Sequence, residues 1–324
     1  MINRHGAVIA ISFVVLVVGS TAAQDAPQTA WGAPDLQGVW DFRTITPLQR
    51  PEDLGDQVFL TEEEAANLEQ ETVSTNEDLL NRPAERTEAG ASVDRGVGGA
   101  PGAYNNFWMD RGTTVIGNRR TSLIVDPSNG RLPSLSTEGQ RRTDERRAYR
   151  EEHPADSYTD RSSFDRCILG FNTGPPMTPG GYNQNMQLFQ TPDHIVILNE
   201  MVHDSRIIPI DGRERPGVES WTGESRGRWE GDTLVVETTD FNDKNPWRGS
   251  TKGRHLIERF TRADNDTLLY EFTSTDPATW ATSWTAQIQM RRNELPLFEY
   301  ACHEGNYSME GILGGTRAEE RKGE

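Results

Sequence analysis

The sequence lacks most of the features that mark a familiar function. Cysteine is confined to Cys167 and Cys302, which allows one internal disulfide at most. Positive charge is scarce: 33 Lys and Arg stand against 50 Asp and Glu, a net charge of −17. So acidic a chain repels a phosphate backbone, which removes DNA and RNA as partners. Beyond residue 18 no apolar run is long enough to cross a bilayer. There is no GxSxG, no P-loop and no GxGxxG opening a helix; the glycines of SRGRWEGD read as a hairpin turn. The strand–helix–strand alternation of a parallel sheet is missing as well.

The first residues are MINRHGAVIAISFVVLVVGSTAAQDAP. A basic start at Arg4, an apolar run over 7–18 and the small residues STAA form the pattern of a secretory signal peptide spanning 1–23, with cleavage after Ala22 or Ala23. No membrane span is then expected in the mature chain, and the compartment is periplasmic or extracellular. In such an oxidising place a Cys167–Cys302 disulfide is the default, with about 4 to 5 kcal/mol as the upper figure of the chain-entropy model. A reactive Cys302 with His303 as its base is the rival reading. If 302 and 303 lie on a strand, their side chains point to opposite faces and do not meet.

Residues 24–103 read as an arm, a first strand at DLQGVWDFRTI (35–45) and a helix-bearing excursion. Thr61 and Glu64 form a capping box before a short helix over 61–73, and 74–103 is rich in Gly, Ala, Asn and charge. Residues 104–324 read as a β domain with a helical insertion at 137–153, capped by Thr137 and Gln140. NFWMD (106–110) and RTSLIVD (120–126) are β-favouring, whereas LGFNTGPPMTPGGYNQ (169–184) is too rich in Gly and Pro for regular structure. From 185 onward, short β-favouring runs are joined by TPDH, DGRE, WEGD and ADND turns, and LPLFEYACH reads as the last strand. Leu268, Tyr270 and Phe272 share one face of a strand; Trp284, Ala286, Ile288 and Met290 share one face of another. The expected fold is mainly β: an antiparallel meander closed into a calycin-like barrel with a few peripheral helices, because closure removes exposed edges.

Gly38-Val39-Trp40 on the first strand resembles the Gly-x-Trp signature of lipocalins and other calycins. That resemblance implies a tryptophan packed across the closed end of a barrel beneath a basic residue, with Arg291 and Arg292 as candidates. The stretches PDLQGVWDFRTITPLQRP, RTSLIVDP, ILNEMVHDSRIIPIDGR, GRWEGDTLVVETTDF and EYACHEGNYSMEGIL resemble a large family of secreted bacterial proteins of unassigned activity. This second resemblance covers most of the mature chain and implies no particular reaction.

Two polar stretches stand out. ILNEMVHDSRIIP places Asn199, Glu200, His203, Asp204 and Arg206 between apolar flanks. On one strand Arg206 would pair with Glu200 or Asp204 and His203 would be solvated; alternatively the group forms a polar patch in a barrel lumen. CHEGNY offers His303, Glu304, Asn306 and Tyr307, with Gly305 permitting a sharp turn. A disulfide would draw the 171–183 loop, including Tyr182, towards His303. The pocket expected from this is framed by 171–183, 199–206 and 303–307 and takes a small organic molecule. The alternative is a cofactor-independent acid–base enzyme, a lyase, hydratase or isomerase. There His203 and His303 carry protons, and Glu200 or Glu304 orients an imidazole. A cell-envelope interaction module is the third reading. No cofactor is expected; two imidazoles and a carboxylate suit a divalent metal, but no tight ligand spacing such as HxH or HExxH occurs. Trp221, Trp229, Trp247, Trp280 and Trp284 are core residues or stacking platforms for a ring.

Overall fold

The computed structural model describes residues 27–81 and 108–323. The signal-peptide reading of 1–23 and most of the 74–103 excursion lie outside them. Ten strands form one antiparallel sheet: β1 (Gly38–Asp41), β2 (Ile124–Asp126), β3 (Asn185–Gln190), β4 (His194–Asn199), β5 (Ser205–Pro209), β6 (Glu224–Glu230), β7 (Thr233–Thr239), β8 (His255–Arg262), β9 (Thr267–Thr275) and β10 (Trp284–Asn293). The spatial order is β5-β4-β3-β1-β10-β9-β8-β7-β6. β10 pairs with β9 along one edge, while β1 (at Arg291–Asn293) and β2 (at Thr285 and Ala286, with a register irregularity between them) share its other edge. Three helices lie outside the sheet: α1 (Glu62–Asn81), α2 (Thr137–Glu152) and α3 (Ser308–Gly323).

Alternation in the sequence becomes two-sidedness in the sheet. Buried and partly exposed residues alternate along β8 and β9 without a break. Leu268, Tyr270, Phe272, Trp284, Ala286, Ile288 and Met290 all enter one core with Trp40, Phe260 and Leu234. Burying each large side chain stabilises by about 1.5–3 kcal/mol. Trp280 and Trp284 are core residues, Trp229 and Trp247 pack against that core, and Arg166 lies over Trp221.

The sheet curls until its far parts face each other. Arg206 of β5 donates two hydrogen bonds, at 2.7 and 2.9 Å, to Glu258 of β8, although five strands separate β5 from β8 in the sheet order. The end strands β5 and β6 are nevertheless not joined by a ladder, so the sheet is not closed into the expected barrel. Side chains meet there instead of backbone: a Cβ added to Gly227 of β6 would stand 2.6 Å from Ile210 Cγ2 and 3.3 Å from Ile208 Cγ2. The missing side chain at Gly227 lets the isoleucines fill the seam.

Local chemistry corrects several boundaries. The capping box at Thr61 forms: Thr61 N–H donates to Glu64 Oε2 at 2.7 Å and Glu64 N–H to Thr61 Oγ1 at 3.1 Å. Its helix continues through Asn81. α2 is capped one residue earlier than expected, by Ser136, whose Oγ accepts from Gly139 N–H at 2.9 Å. Residues 108–110 form no strand, and neither does LPLFEYACH over 295–303. A helix, α3, follows where none was anticipated. The cation over Trp40 is Arg262, with its Cζ 5.5 Å from the ring, rather than Arg291 or Arg292. Trp40 Nε1–H donates to Leu36 O at 2.9 Å, which settles the buried indole. No described helix is long and apolar enough to cross a membrane.

Candidate functional site

The two polar stretches meet at one hollow of about 360 Å³, lined from three segments: Cys167–Ile168, Val202–Ser205 and Glu299–Glu304. His203 and His303 both line it, with Asp204 and Glu304. The disulfide between Cys167 and Cys302 joins two of the three segments, with the Cα atoms 5.7 Å apart.

The middle segment is a turn rather than a continuous strand. β4 ends at Asn199, β5 begins at Ser205, and a short 3-10 turn (Met201–His203) lies between them. Asn199 N–H donates to Asp204 O at 2.8 Å, and Glu200 N–H to Asn185 O at 2.9 Å. Met201 is fully buried beside Gly170, where a Cβ would come within 2.5 Å of Met201 Cγ. This forces the next two residues through left-handed backbone, Val202 at φ 60° and His203 at φ 49°. Cys167, across the hollow, stands at φ 52°. Left-handed non-glycine residues cost on the order of 1–3 kcal/mol each and concentrate at functional sites; β-branched Val202 is the least expected of them. Three of the seven such residues among those described line this one hollow.

The disulfide segment is fixed from behind. Asn306 Nδ2–H donates to Cys167 Sγ at 3.1 Å, and Gly305 turns the chain at φ 67°. Tyr300, a lining residue, stacks on Tyr182 with centroids 6.1 Å apart. Tyr182 meets Phe171 edge-on at 5.3 Å, and Phe171 meets Phe164 at 5.0 Å. The 171–183 loop therefore buttresses the wall through aromatic contacts, and Tyr182 supports the wall without lining the hollow. Tyr307 is exposed and does not line it either.

Three other expected site residues do not line the hollow. Glu200 is buried; its carboxylate accepts from Asn185 Nδ2–H at 2.8 Å and Phe298 N–H at 3.3 Å, tying the turn to the 294–304 segment. Its carboxylate bonds Asn185 and Phe298 rather than either imidazole. Arg206 pairs with neither Glu200 nor Asp204. Its partner is Glu258, whose Oε1 also accepts from Tyr270 Oη–H at 2.8 Å, while Tyr270 Oη accepts from Met177 N–H at 3.1 Å. Arg206 points into the interior because alternation along β5 sends Arg206 and Ile208 inward together. Burial and Glu258 both push the Tyr270 phenol well above its ordinary range. Asn199 is buried, and its Oδ1 has no partner among the described residues.

The hollow itself is acidic. Asp204, Glu299 and Glu304 line it, and no lysine or arginine does. Desolvation raises the Asp204 carboxyl, against the opposing pull of a hydrogen bond from Thr173 Oγ1–H (2.8 Å) and the nearby Arg206 charge. Among the described residues no group of three or more His, Cys, Asp and Glu is placed to hold a metal ion. Comparison with protein-family models, with curated proteins and with solved structures yields no match.

Val202 and Ser205 fall within the expected 199–206 frame but were not singled out as site residues, and Glu299 and Tyr300 lay outside the expected frame. Only Glu299 and Tyr300 carried a signal, as the polar start of the EYACHEGNY stretch.

Proposed function

We propose that the protein is an exported β protein that binds a small basic organic molecule, such as an amine, in the hollow beside the Cys167–Cys302 disulfide. The observation that carries this reading is the gathering of His203 and His303 with three carboxylates, and no lysine or arginine, around one cavity. Its volume lies in the range of small-molecule sites. The backbone strain at Val202, His203 and Cys167 supports the same assignment, since a merely structural turn has cheaper solutions. Export is supported by the leader-like start of the sequence and by the disulfide. We also place the curled sheet nearest the calycin-type barrels, on the strength of Gly38 and Trp40 and of the side-chain seam between β5 and β6.

The alternative is acid–base catalysis in the same hollow, favoured by two imidazoles lining one cavity. An envelope interaction module with a plain packed core accounts for neither the hollow nor the strain. A thermal-shift screen of small amines and small carboxylates decides between binding and its absence, since a bound ligand raises apparent stability by mass action. Amines should stabilise the protein and carboxylates should not; stabilisation by carboxylates alone would sink the charge argument. With an amine in hand, His303→Ala retains affinity and shows no turnover if the protein is a binder. An enzyme would lose its rate while still binding.

A further inference from the structure

A second cavity, of about 460 Å³, lies between α2 and the turn at Trp247–Gly249. We propose that this cleft is a binding site for a small anion carrying more than one phosphate or sulfate group. Arg146, Arg147 and Arg150 line it from one face of α2, with Thr143 and Glu151 at the same helical spacing, and Arg248 lines it from the opposite wall. Four arginines thus line one cleft in a protein of net charge −17.

Pairing does not account for them. Among the described residues, no carboxylate forms an ion pair with Arg146, Arg150 or Arg248, although the chain holds 50 acidic residues to draw on. Arg147 reaches Asp144 at 3.3 Å, an exposed pair that contributes little. The other face of the same helix is different: Arg141 is held by Glu138 at 2.6 Å and Glu145 at 2.5 Å. One helix therefore has a charge-paired face and a face on which Arg146 and Arg150 are unpaired among the described residues, and that second face lines the cleft. Like charges held together repel. Desolvation, then Arg150 and Arg142, push the Arg146 guanidinium down from its usual range. Desolvation lowers Arg248 too, and its guanidinium lies over the Trp247 ring at 5.5 Å.

The opposing wall is held in a costly shape. Arg248 has φ 49° and ψ 32°, a left-handed conformation on a non-glycine residue. Trp247 stacks on Trp284 at 5.6 Å and Arg142 Nη1–H donates to Gly249 O at 3.1 Å, so the turn is fixed on both sides of Arg248. Arginine's planar fork matches phosphate and sulfate oxygens two at a time, and four forks call for more than one such group. The surrounding acidic surface disfavours an extended polyanion and leaves a compact one.

Calorimetric titration of the mature chain with inorganic pyrophosphate tests the site. Saturable one-to-one binding is expected, weakened about tenfold or more by Arg150→Gln and by Arg248→Gly, which suits the left-handed backbone. Arg141→Gln removes the same charge from the paired face and should leave the affinity unchanged. Absence of saturable binding, or equal weakening by Arg141→Gln, would overturn the proposal. Co-sedimentation with vesicles containing phosphatidic acid separates the sources. Arg150-dependent vesicle binding that pyrophosphate competes away supports the site with a lipid phosphate as its ligand; binding of pyrophosphate alone supports it with a soluble one.

Discussion

His203 and Arg206 belong to one hairpin and sit three positions apart, yet they live under opposite rules. Arg206 is buried, held by two hydrogen bonds to Glu258, and part of a chain of contacts through Tyr270 to the backbone of Met177. His203 is exposed on strained backbone beside a cavity and has no such lock. An interior charge must be satisfied by the fold itself, because nothing else can reach it. A polar group left at a concave surface, on backbone that costs free energy to hold, is satisfied by something from outside or not at all. The same chain shows both solutions within five residues of β5's start, so the polarity of the segment was never one feature.

The comparison breaks most easily from the inside. Glu258→Ala strands both the Arg206 guanidinium and the Tyr270 hydroxyl in the core, and a destabilisation of about 3–5 kcal/mol is expected from chemical denaturation. A loss below about 1 kcal/mol would show that the pair is not what holds β5 against β8. Next in size is the double change Cys167→Ser with Cys302→Ser, which opens a closure spanning 135 residues. It should cost about 2–4 kcal/mol and weaken amine binding in the hollow, because His303 and Cys167 then belong to separate walls. Unchanged affinity would remove the disulfide from the site. The smallest effect sharpens the contrast at its boundary. Burial raises the Asp204 carboxyl above its ordinary value of 3.8, so its ionisation opposes folding. Below pH 3.8 both states are protonated and the penalty is absent; it develops as pH rises through the raised native value. Asp204→Asn should therefore stabilise the protein at neutral pH while leaving acid stability unchanged, and its Oδ1 can still accept from Thr173. A gain of equal size at every pH would contradict the burial argument.

Legibility in the sequence followed the range of the forces involved. The β3–β4, β6–β7 and β8–β9 hairpins were readable because alternation and turn residues are local, and β10 because one face is continuously apolar. The 200–204 turn was hidden by its flanks: Ile197, Leu198, Ile207 and Ile208 favour strand, and nothing local says that Met201 will be swallowed beside Gly170. Glu258 was not foreseeable as the partner of Arg206, since 52 positions separate them and only the curl of the sheet joins them. α3 was obscured by Gly311, Gly314 and Gly315, although Met309, Ile312, Leu313 and Thr316, all partly buried, fall at helical spacing. LPLFEYACH misled in the other direction: Leu295 and Phe298 are exposed, and Glu299, Tyr300 and Ala301 line the hollow rather than join a ladder. The disulfide was readable by counting, and with it the meeting of the two polar stretches.

The seam at Gly227 reaches beyond the fold of one molecule. Every open sheet has two free margins, and each is a template on which a strand from another copy can add. Here those margins are turned towards one another, and Ile208 and Ile210 occupy the gap that Gly227 leaves. A chain built this way offers little bare strand at that seam, and covers its margins with side chains instead of a hydrogen-bonded ladder.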